Sequence, residues 1–170
     1  ISARALGLGL PLFVKPANLG SSVGISKVKT EADLAPAVEL ALEFDRKVVV
    51  EAGVAEAREI ECAVLGNDDP EASVAGEIIP SREFYDYEAK YTPGSTQYFF
   101  PARLSPEVDA RVCRDAEKAY RSLGCAGAAR VDFIVAADGT PFILEVNTLP
   151  GMTGTSLVPK IAAGKGISFP

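Results

Sequence analysis

The sequence RVDFIVAADGTPFILEVN occupies residues 130–147 and predicts a β-hairpin. Two runs with strand-like alternation flank Asp138-Gly139, and an Asp-Gly pair between such runs is a strong signal for a two-residue turn. With that turn Ala137 faces Thr140, and the register of the whole hairpin follows. One face is then apolar, with the cross-strand pairs Val131–Val146, Phe133–Leu144 and Val135–Phe142.

The other face of the predicted hairpin carries charge, with Asp132 opposite Glu145 and Arg130 opposite Asn147. Directly opposed side chains have Cβ atoms about 4.5–5.5 Å apart, and like charges at that separation destabilise the pair. Two carboxylates and an amide oxygen are the ligands that a hard divalent cation requires. Neutralisation of the carboxylates by Arg130 explains the same pattern, and the hairpin alone leaves both interpretations open.

Outside the hairpin, short strand-like runs alternate with two helical stretches. The runs are apolar and often β-branched: Leu12–Lys15, Ile25–Val28, Val48–Val50, Ile60–Leu65 and Ser73–Ile79. Residues 81–97 are polar and broken by Pro93-Gly94, which predicts a long loop.

The two helices have recognisable ends. The first is predicted over Thr30–Phe44, with Asp33 as its cap because Pro36 then falls in the first turn. The second is capped by Ser105, has Pro106 at its first position and ends at Gly124. Its apolar face is formed by Val112, Ala116, Ala119, Tyr120 and Leu123.

The composition is that of an ordinary soluble globular protein and excludes several kinds of chemistry. The 170 residues are 48% hydrophobic and 24% charged, which suits one domain or two small lobes. No histidine is present, so serine–histidine catalysis and histidine-ligated metals are excluded within the chain. The cysteines contain no Cys-x-x-Cys pair and are expected to be small buried side chains in a reducing compartment: Cys62, Cys113 and Cys125.

The charge and the ends of the chain give further expectations. The formal charge of −6 argues against nucleic-acid binding, and it traces to residues 51–71, where Arg58 stands against seven acidic residues. No apolar run has the length of a membrane span and the start lacks a signal peptide, so we expect a cytoplasmic protein. Since the chain opens at Ile1 and its only methionine is Met152, we expect a piece of a longer polypeptide.

A glycine- and serine-rich loop, residues 20–24, follows Lys15 at the end of the first strand. Its glycines permit close backbone approach, and its amides and hydroxyls are suited to phosphate. It is not a Walker A loop, because no Gly-Lys-Ser/Thr follows, and Gly7-Leu8-Gly9 lacks the third glycine of a dinucleotide fingerprint. Taken alone, such a loop is more often only a turn.

Eight short segments occur in an order that is highly specific as a set. They are FVKP (13–16), GSSVGI (20–25), VVVE (48–51), REIE (58–61), FYDYEAKY (84–91), RVDF (130–133), EVNTLPGMT (145–153) and SLVP (156–159). Together they resemble the D-alanine–D-alanine ligase family of the ATP-grasp superfamily, over nearly the whole chain.

The resemblance implies an α+β ATP-grasp fold, with two α+β lobes and nucleotide bound between antiparallel sheets. Residues 1–51 then form an N-terminally truncated central lobe. Residues 52–170 form the C-terminal lobe with the metal and substrate site, truncated at its end, and the family's N-terminal D-alanine-binding domain is absent. The implied reaction joins two D-alanines through an acyl phosphate made from ATP, for peptidoglycan precursor synthesis.

The resemblance also implies residue roles. ATP would be held by Lys15 on the phosphates with support from Ser21 and Ser22, by Glu51 and the Val54 backbone at adenine, by Glu59 at the ribose and by Lys90 at the terminal phosphates. Two magnesium ions, with manganese as an alternative, would be held by Asp132, Glu145 and Asn147. The tetrahedral intermediate and the second substrate would be held by Arg130, the Gly151 amide, Ser156 and the Leu157 amide, with Tyr91 and Ser21 near the loop that closes over them.

Tyr91 bears on the second substrate. In the resembled family a Lys-Tyr pair goes with the dipeptide ligases, and phenylalanine in place of the tyrosine goes with ligases that accept D-lactate. Other interpretations are a different ATP-grasp ligase, such as a D-alanine–D-lactate enzyme, or a nucleotide-binding fragment without turnover. We expect the isolated piece to be inactive and the full-length protein to be a homodimer that binds ATP and D-alanine, with no nucleic-acid or membrane partner.

Overall fold

The computed structural model describes residues 2–80, 96–153 and 156–168. This part of the chain separates into two compact units. The first contains residues up to 55 together with Pro80 and Thr96, and the second contains residues 56–79 and those from 97 onward. Each unit combines helices with antiparallel strand pairs, which confirms the α+β prediction. Among the helices in the described ranges, none is both long and apolar enough to cross a membrane.

The first unit is a three-stranded antiparallel sheet with a helix packed on it. Its elements are α1 (Ser2–Leu6), β1 (Leu12–Pro16), β2 (Ser26–Val28), α2 (Glu31–Leu42) and β3 (Val48–Ala52). The strand order is β2-β1-β3. Leu12 and Val14 of β1 are buried with Leu34, Ala37 and Ala41 of α2. Since side chains alternate along a strand, Lys15 is left on the other face of the sheet.

Helix α2 begins one residue after Thr30, so the prediction of Asp33 as its cap was wrong. The Asp33 carboxylate accepts hydrogen bonds from the Thr30 backbone N–H at 2.9 Å and from the Thr30 hydroxyl at 2.8 Å. Asp33 is the third helical residue, and this reciprocal pairing is a capping box. Pro36 therefore lies inside the helix, on its exposed side, where a carbonyl without a helical donor is accessible to solvent.

The second unit contains a five-stranded sheet with a long helix on one face. Its elements are β4 (Arg58–Gly66), β5 (Glu71–Pro80), β6 (Thr96–Phe99), α3 (Pro106–Ser122), β7 (Gly127–Val135), β8 (Pro141–Asn147) and α4 (Leu157–Ala163). The strand order is β6-β5-β4-β7-β8, so β8 is an edge. The main core contains alternate residues of β4 and β7 together with residues of α3: Ile60, Cys62, Val64, Val131, Phe133, Val112, Ala116 and Tyr120.

Helix α3 has the predicted ends but not the whole predicted face. Ser105 Oγ accepts from the Val108 N–H at 3.4 Å, and Gly124 has a left-handed φ of +64° just after the helix. Leu123 is exposed, against the prediction, because it lies beyond the last helical turn. Of the cysteines only Cys62 is buried, whereas Cys113 and Cys125 are half-buried.

The hairpin of β7 and β8 keeps the predicted acidic pair but not the predicted turn. Asp132 lies opposite Glu145 and Arg130 opposite Asn147, as predicted. The loop has three residues instead of two, because the Ala136 N–H bonds to the Thr140 carbonyl and Gly139 has a φ of +82°. An irregularity after Asp132 then restores the predicted register.

The predicted pairs nearer the turn were therefore wrong. Phe133 lies opposite Ile143 instead of Leu144, and Val135 lies opposite Pro141 instead of Phe142. The β7 residues of the predicted apolar face are buried, and Val146 of β8 pairs with Val131 as predicted and packs against the same core. Phe142 and Leu144 are exposed, since β8 is at the edge of the sheet.

Candidate active site

Three carboxylates form a row across the sheet of the second unit. Asp132 of β7 lies opposite Glu61 of β4 on one side and opposite Glu145 of β8 on the other. Because neighbouring residues such as Ile60 and Val131 face α3, the row lies on the opposite face of the sheet. Glu61 is 5% exposed, whereas the side chain of Glu145 is 65% exposed. The row therefore runs from the protein interior to solvent.

Arg130 lies beside this row and contacts its members. Its Nε is 2.7 Å from Asp132 Oδ1 and 3.1 Å from Glu61 Oε2, and its Nη2 is 2.7 Å from Asp132 Oδ2. Glu145 is farther, at 4.0 Å from Nη2. The contact with Asp132 is bidentate, the geometry in which a guanidinium binds a carboxylate most strongly. Among the contacts described for this face, one guanidinium stands against three carboxylates, an arrangement in which a further cation would be stabilising.

Burial governs the ionisation of this face. Burial raises the pKa of Asp132, and the neighbouring Glu145 adds to the effect, although hydrogen bonds from Arg130 oppose it. Burial alone would lower the pKa of Arg130, but the hydrogen bonds to Asp132 and the charges of Glu61 and Glu145 outweigh it and raise that pKa. Arg130 is therefore a permanent cation, and Asp132 stands in a site where extra positive charge would be stabilising.

Asn147 completes the predicted metal ligands. It lies at the end of β8 opposite Arg130, and its Oδ1 accepts from the Leu149 N–H at 3.2 Å. With Asp132 and Glu145 it supplies hard oxygen donors, which is the chemistry that magnesium prefers. No three His, Cys, Asp or Glu side chains of the described residues are arranged as a ready metal site. The donor set thus fits magnesium by its chemistry, while Asp132 is engaged by Arg130.

Glu59 and Glu61 lie two residues apart on β4, so their side chains share the face of the carboxylate row. Glu59 lies opposite Ile134 of β7 and Ile78 of β5. Glu59 was predicted as a ribose ligand, whereas Glu61 was not predicted as a site residue. The two-residue spacing from Glu59 was the signal that pointed to the shared face.

A second buried carboxylate, also not predicted, lies on β5. Glu77 is 3% exposed and accepts hydrogen bonds at 2.9 Å from Arg58 Nε and from Arg103 Nε. Arg58 also donates to the Arg103 carbonyl at 2.7 Å. This cluster joins β4 and β5 to the segment before α3. The sequence signal for it was Arg58, the single base of the acidic run.

In the first unit, Lys15 and Glu51 form an ion pair. Lys15 Nζ lies 2.7 Å from Glu51 Oε1, and both side chains are half-buried. Phe13 lies opposite Glu51 and Lys15 opposite Val49, so the pair is diagonal on one face of the sheet. The structure thus brings together two of the predicted ATP ligands.

Ser21 and Ser22 lie in a loop with an unusual backbone. Their φ angles are 55° and 58°, a left-handed conformation that costs residues other than glycine about 1–2 kcal/mol each. The start of the loop is anchored, because the backbone N–H and the side chain of Asn18 both donate to Asp45 Oδ2 at 2.8 Å. Strained backbone of this kind is frequent at ligand clamps.

Val54 follows β3 at a point where the backbone is held tightly. The Gly53 N–H donates to the Pro11 carbonyl at 2.7 Å, and a Cβ at Gly53 would lie 2.8 Å from the same oxygen. The position therefore suits only glycine, and it fixes the backbone that leads to Val54.

Gly151 and Ser156 also lie together. A Cβ at Gly151 would be 2.9 Å from Ser156 Oγ. Ser156 precedes Leu157, the first residue of α4, and its Oγ accepts from the Thr153 N–H at 3.0 Å. The two remaining predicted site residues, Lys90 and Tyr91, lie outside the described residues.

Comparison with known proteins identifies the family of the chain. Residues 3–170 match the family described as D-ala D-ala ligase C-terminus. The chain is 56% identical to the D-alanine--D-alanine ligase of Anaeromyxobacter sp. (strain Fw109-5), with 100% of this chain and 54% of the relative covered. It is 54% identical to D-alanine--D-alanine ligase A of Salmonella typhimurium, with 95% of this chain and 44% of the relative covered.

The chain is also similar to solved structures of ligases. The chain is similar to the VanG D-Ala:D-Ser ligase from Enterococcus faecalis, with a TM-score of 0.85 and 40% identity. That match covers 98% of this chain and 49% of the other. The chain spans about half the length of the curated relatives it matches.

Proposed function

We propose, since the chain belongs to the D-Ala-D-Ala ligase C-terminal family and has its ATP-grasp fold, that it is the ATP-grasp part of a D-alanine–D-alanine ligase. The proposed reaction is the ATP-dependent joining of two D-alanines for peptidoglycan precursor synthesis. The observation that carries the proposal is the sheet face on which Arg130 lies among Asp132, Glu145 and Asn147.

The proposed reaction has two steps. The carboxylate of one D-alanine attacks the terminal phosphorus of ATP, which gives an acyl phosphate and ADP. The amine of the second D-alanine then attacks the acyl carbon, and phosphate leaves from a tetrahedral intermediate. Because neither step forms a bond to the protein, the chain acts by positioning and by charge neutralisation. Magnesium held by Asp132, Glu145 and Asn147 would neutralise phosphate oxygens.

Arg130 is proposed to stabilise the oxyanion of the tetrahedral intermediate. Its bidentate contact with Asp132 holds the guanidinium in one orientation before substrate binds. Donors that are oriented in advance toward a developing oxyanion make large contributions to catalysis. The Gly151 amide is proposed as a second donor. The Ser156 hydroxyl and the Leu157 amide are proposed for the carboxylate of the second D-alanine.

Roles toward the nucleotide are proposed from the resemblance to the family. In the first unit, Lys15 would leave its ion pair with Glu51 and bind an ATP phosphate, with further contacts to the phosphate from Ser21 and Ser22. Glu51 is then free to accept the adenine amino group, beside the Val54 backbone. In the second unit, Glu59 is proposed for the ribose hydroxyls. Lys90 is proposed for the terminal phosphates.

The metal, the lobes and the assembly of the complete protein are also proposed from the family. Two magnesium ions would be bound, with manganese as an alternative. The units are the central and C-terminal lobes, predicted as residues 1–51 and 52–170. The complete protein is a cytoplasmic homodimer whose small-molecule partners are ATP and D-alanine.

The test is an assay of the protein that carries this chain. We expect D-alanine-dependent release of ADP and phosphate, with D-alanyl-D-alanine identified by mass spectrometry. Preferential joining of D-alanine to D-serine or D-lactate would show that the protein is a related ligase with a different second substrate. ATP binding without turnover in the complete protein would contradict the ligase proposal.

A second measurement tests the metal ligands. Calorimetry with ATP, with and without magnesium, is compared for the wild type and Asp132→Ala. The variant is expected to lose the gain in ATP affinity that magnesium provides. Equal affinities in both proteins would remove Asp132 from the metal site.

A further inference from the structure

Glu61 is a buried carboxylate for which the reaction above has no role. It is 5% exposed, and a buried charge is costly unless it is paired. Apolar groups lie close to it, because Ile161 of α4 is packed on Gly76, the residue opposite Glu61 on β5. Its Oε2 lies 3.1 Å from Arg130 Nε, which is an ion-pair contact and not a hydrogen bond, because the Nε–H donates to Asp132 Oδ1. The position of Glu61 is therefore tied to that of Arg130.

Asp132 has two competing partners in the proposed reaction. Its two oxygens each accept a hydrogen bond of 2.7 Å from Arg130, and the same carboxylate is proposed to bind magnesium. Any oxygen that is shared with a metal ion holds the guanidinium less strongly. Glu61 lies on the other side of Asp132 from Glu145, outside the proposed metal ligands.

We propose that Glu61 is a positioning residue for Arg130. The Glu61 carboxylate anchors the guanidinium through Nε when Asp132 is shared with a cation. The inference rests on the proposed function, because it takes Arg130 as the oxyanion donor. In the proposed reaction Glu61 contacts neither the substrates nor the nucleotide. Its loss therefore lowers the rate of the chemical step and leaves ATP binding nearly unchanged.

The first test is kinetic, in the protein that carries this chain. Glu61→Gln keeps the shape and a hydrogen-bond acceptor but removes the charge, and Glu61→Leu removes both. We expect kcat to fall about tenfold in the first variant and further in the second, with the ATP Kd changed less than about twofold. Glu71→Gln is the matched control, since Glu71 of β5 pairs with Lys165 on the surface. An unchanged kcat, or equal losses in kcat and ATP affinity, would overturn the proposal.

The second test asks whether Glu61 acts through Arg130. Arg130→Lys removes Nε, so Glu61→Gln should lower kcat much less in the Arg130→Lys protein than in the wild type. We expect a loss below about threefold there, against about tenfold in the wild type. Full additivity of the two losses would show that Glu61 has an independent, structural effect.

The third test does not depend on turnover. In protein labelled with ¹⁵N-arginine, the Arg130 Nε–H signal is assigned by its loss in Arg130→Lys. Its hydrogen exchange is expected to be about tenfold faster in Glu61→Gln than in the wild type when magnesium and ADP are present. Equal exchange rates would overturn the anchoring role. A wild type without D-alanine-dependent ADP release would overturn the proposed function alone, and the NMR comparison would then decide the anchoring by itself.

Discussion

Lys15 Nζ lies 2.7 Å from Glu51 Oε1, so the residues proposed for the phosphates and the adenine of ATP neutralise each other in the structure. Both side chains retain access to solvent, and ion pairs of that kind contribute only about 0–1 kcal/mol. In the proposed function ATP would break the pair at little cost. The phosphates would replace the carboxylate beside Lys15, and the carboxylate would become available to the base.

Glu51→Gln is expected to weaken ATP binding and to reduce the preference for ATP over GTP. Glutamine accepts the adenine amino group without a charge, and charged hydrogen bonds contribute about 1.5–3 kcal/mol, so the ATP Kd should rise about tenfold. Calorimetric Kd values for both nucleotides check this. Lys15→Gln is the control, since it should weaken both nucleotides equally through their common phosphates. A preference for ATP that is unchanged in Glu51→Gln would contradict the adenine role.

Glu77 is expected to make the protein sensitive to acid. Burial opposes its ionisation, but hydrogen bonds from Arg103 and Arg58 outweigh burial and hold the pKa of Glu77 below its ordinary value. Its ionised form therefore stabilises the fold above the ordinary pKa of about 4.3, and this contribution is lost as pH falls through the lowered value. Glu77→Gln should lower the free energy of unfolding by about 1–3 kcal/mol at pH 7.

Urea unfolding at pH 7 and at about pH 3 measures this effect, and the gap between wild type and Glu77→Gln should narrow at the lower pH. Glu71→Gln is the matched control on the same strand. Glu71 also pairs with a cation, Lys165 at 2.9 Å, but its side chain is 70% exposed, so its loss should cost less than about 1 kcal/mol. Equal losses at the two positions would show that burial is not the cause.

Local patterns in the sequence predicted the strands and the acidic pair of the hairpin. The pairing of Asp132 with Glu145 was predicted from a two-residue turn, and it holds because the irregularity after Asp132 offsets the extra loop residue. Alternation placed both residues on one face of the hairpin. It did not determine the length of the turn, because Gly139 with positive φ suits both two-residue and three-residue loops. In the same way, the position of Pro36 favoured Asp33 as the cap of α2, whereas the hydrogen bonds between Thr30 and Asp33 make Thr30 the cap.

Pairing between distant strands could not be predicted from the sequence. Glu61 lies beside Asp132 because β4 and β7 are neighbours, and nothing within residues 58–66 specifies that neighbour. Glu77 meets Arg103 across 26 residues for the same reason. The sequence therefore predicted the local excess of acidic residues, whereas the contacts that Glu61 makes depend on long-range topology.

Tyr91→Phe is expected to raise ester formation with D-lactate relative to peptide formation. Tyr91 lies outside the described residues, and the prediction rests on the Lys-Tyr pair at 90–91. The substitution removes one hydroxyl and keeps the ring, so a changed product ratio reports on the hydroxyl. Products of D-alanine and D-lactate mixtures are measured by mass spectrometry. Tyr98→Phe is the control, because Tyr98 stacks on Phe100 and should leave the ratio unchanged. No change in Tyr91→Phe would count against the assignment.

Gly151→Ala is expected to impair use of the second D-alanine. The added Cβ would lie 2.9 Å from Ser156 Oγ, which is itself held by the Thr153 N–H at 3.0 Å. Alanine must therefore displace the hydroxyl that is proposed to bind the substrate carboxylate. We expect the KM for the second D-alanine to rise about tenfold, the loss typical of one hydrogen bond to a charged group, with the ATP Kd unchanged.

Ser156→Ala separates this clash from a direct effect of Gly151. Without Oγ the added Cβ has room, since its next contact is the Ser156 Cβ at 3.6 Å. The double variant should therefore be no worse than Ser156→Ala alone, and initial rates at saturating ATP across the four proteins measure this. Losses that add would mean that Gly151 acts through its own backbone, because independent sites add and coupled ones do not.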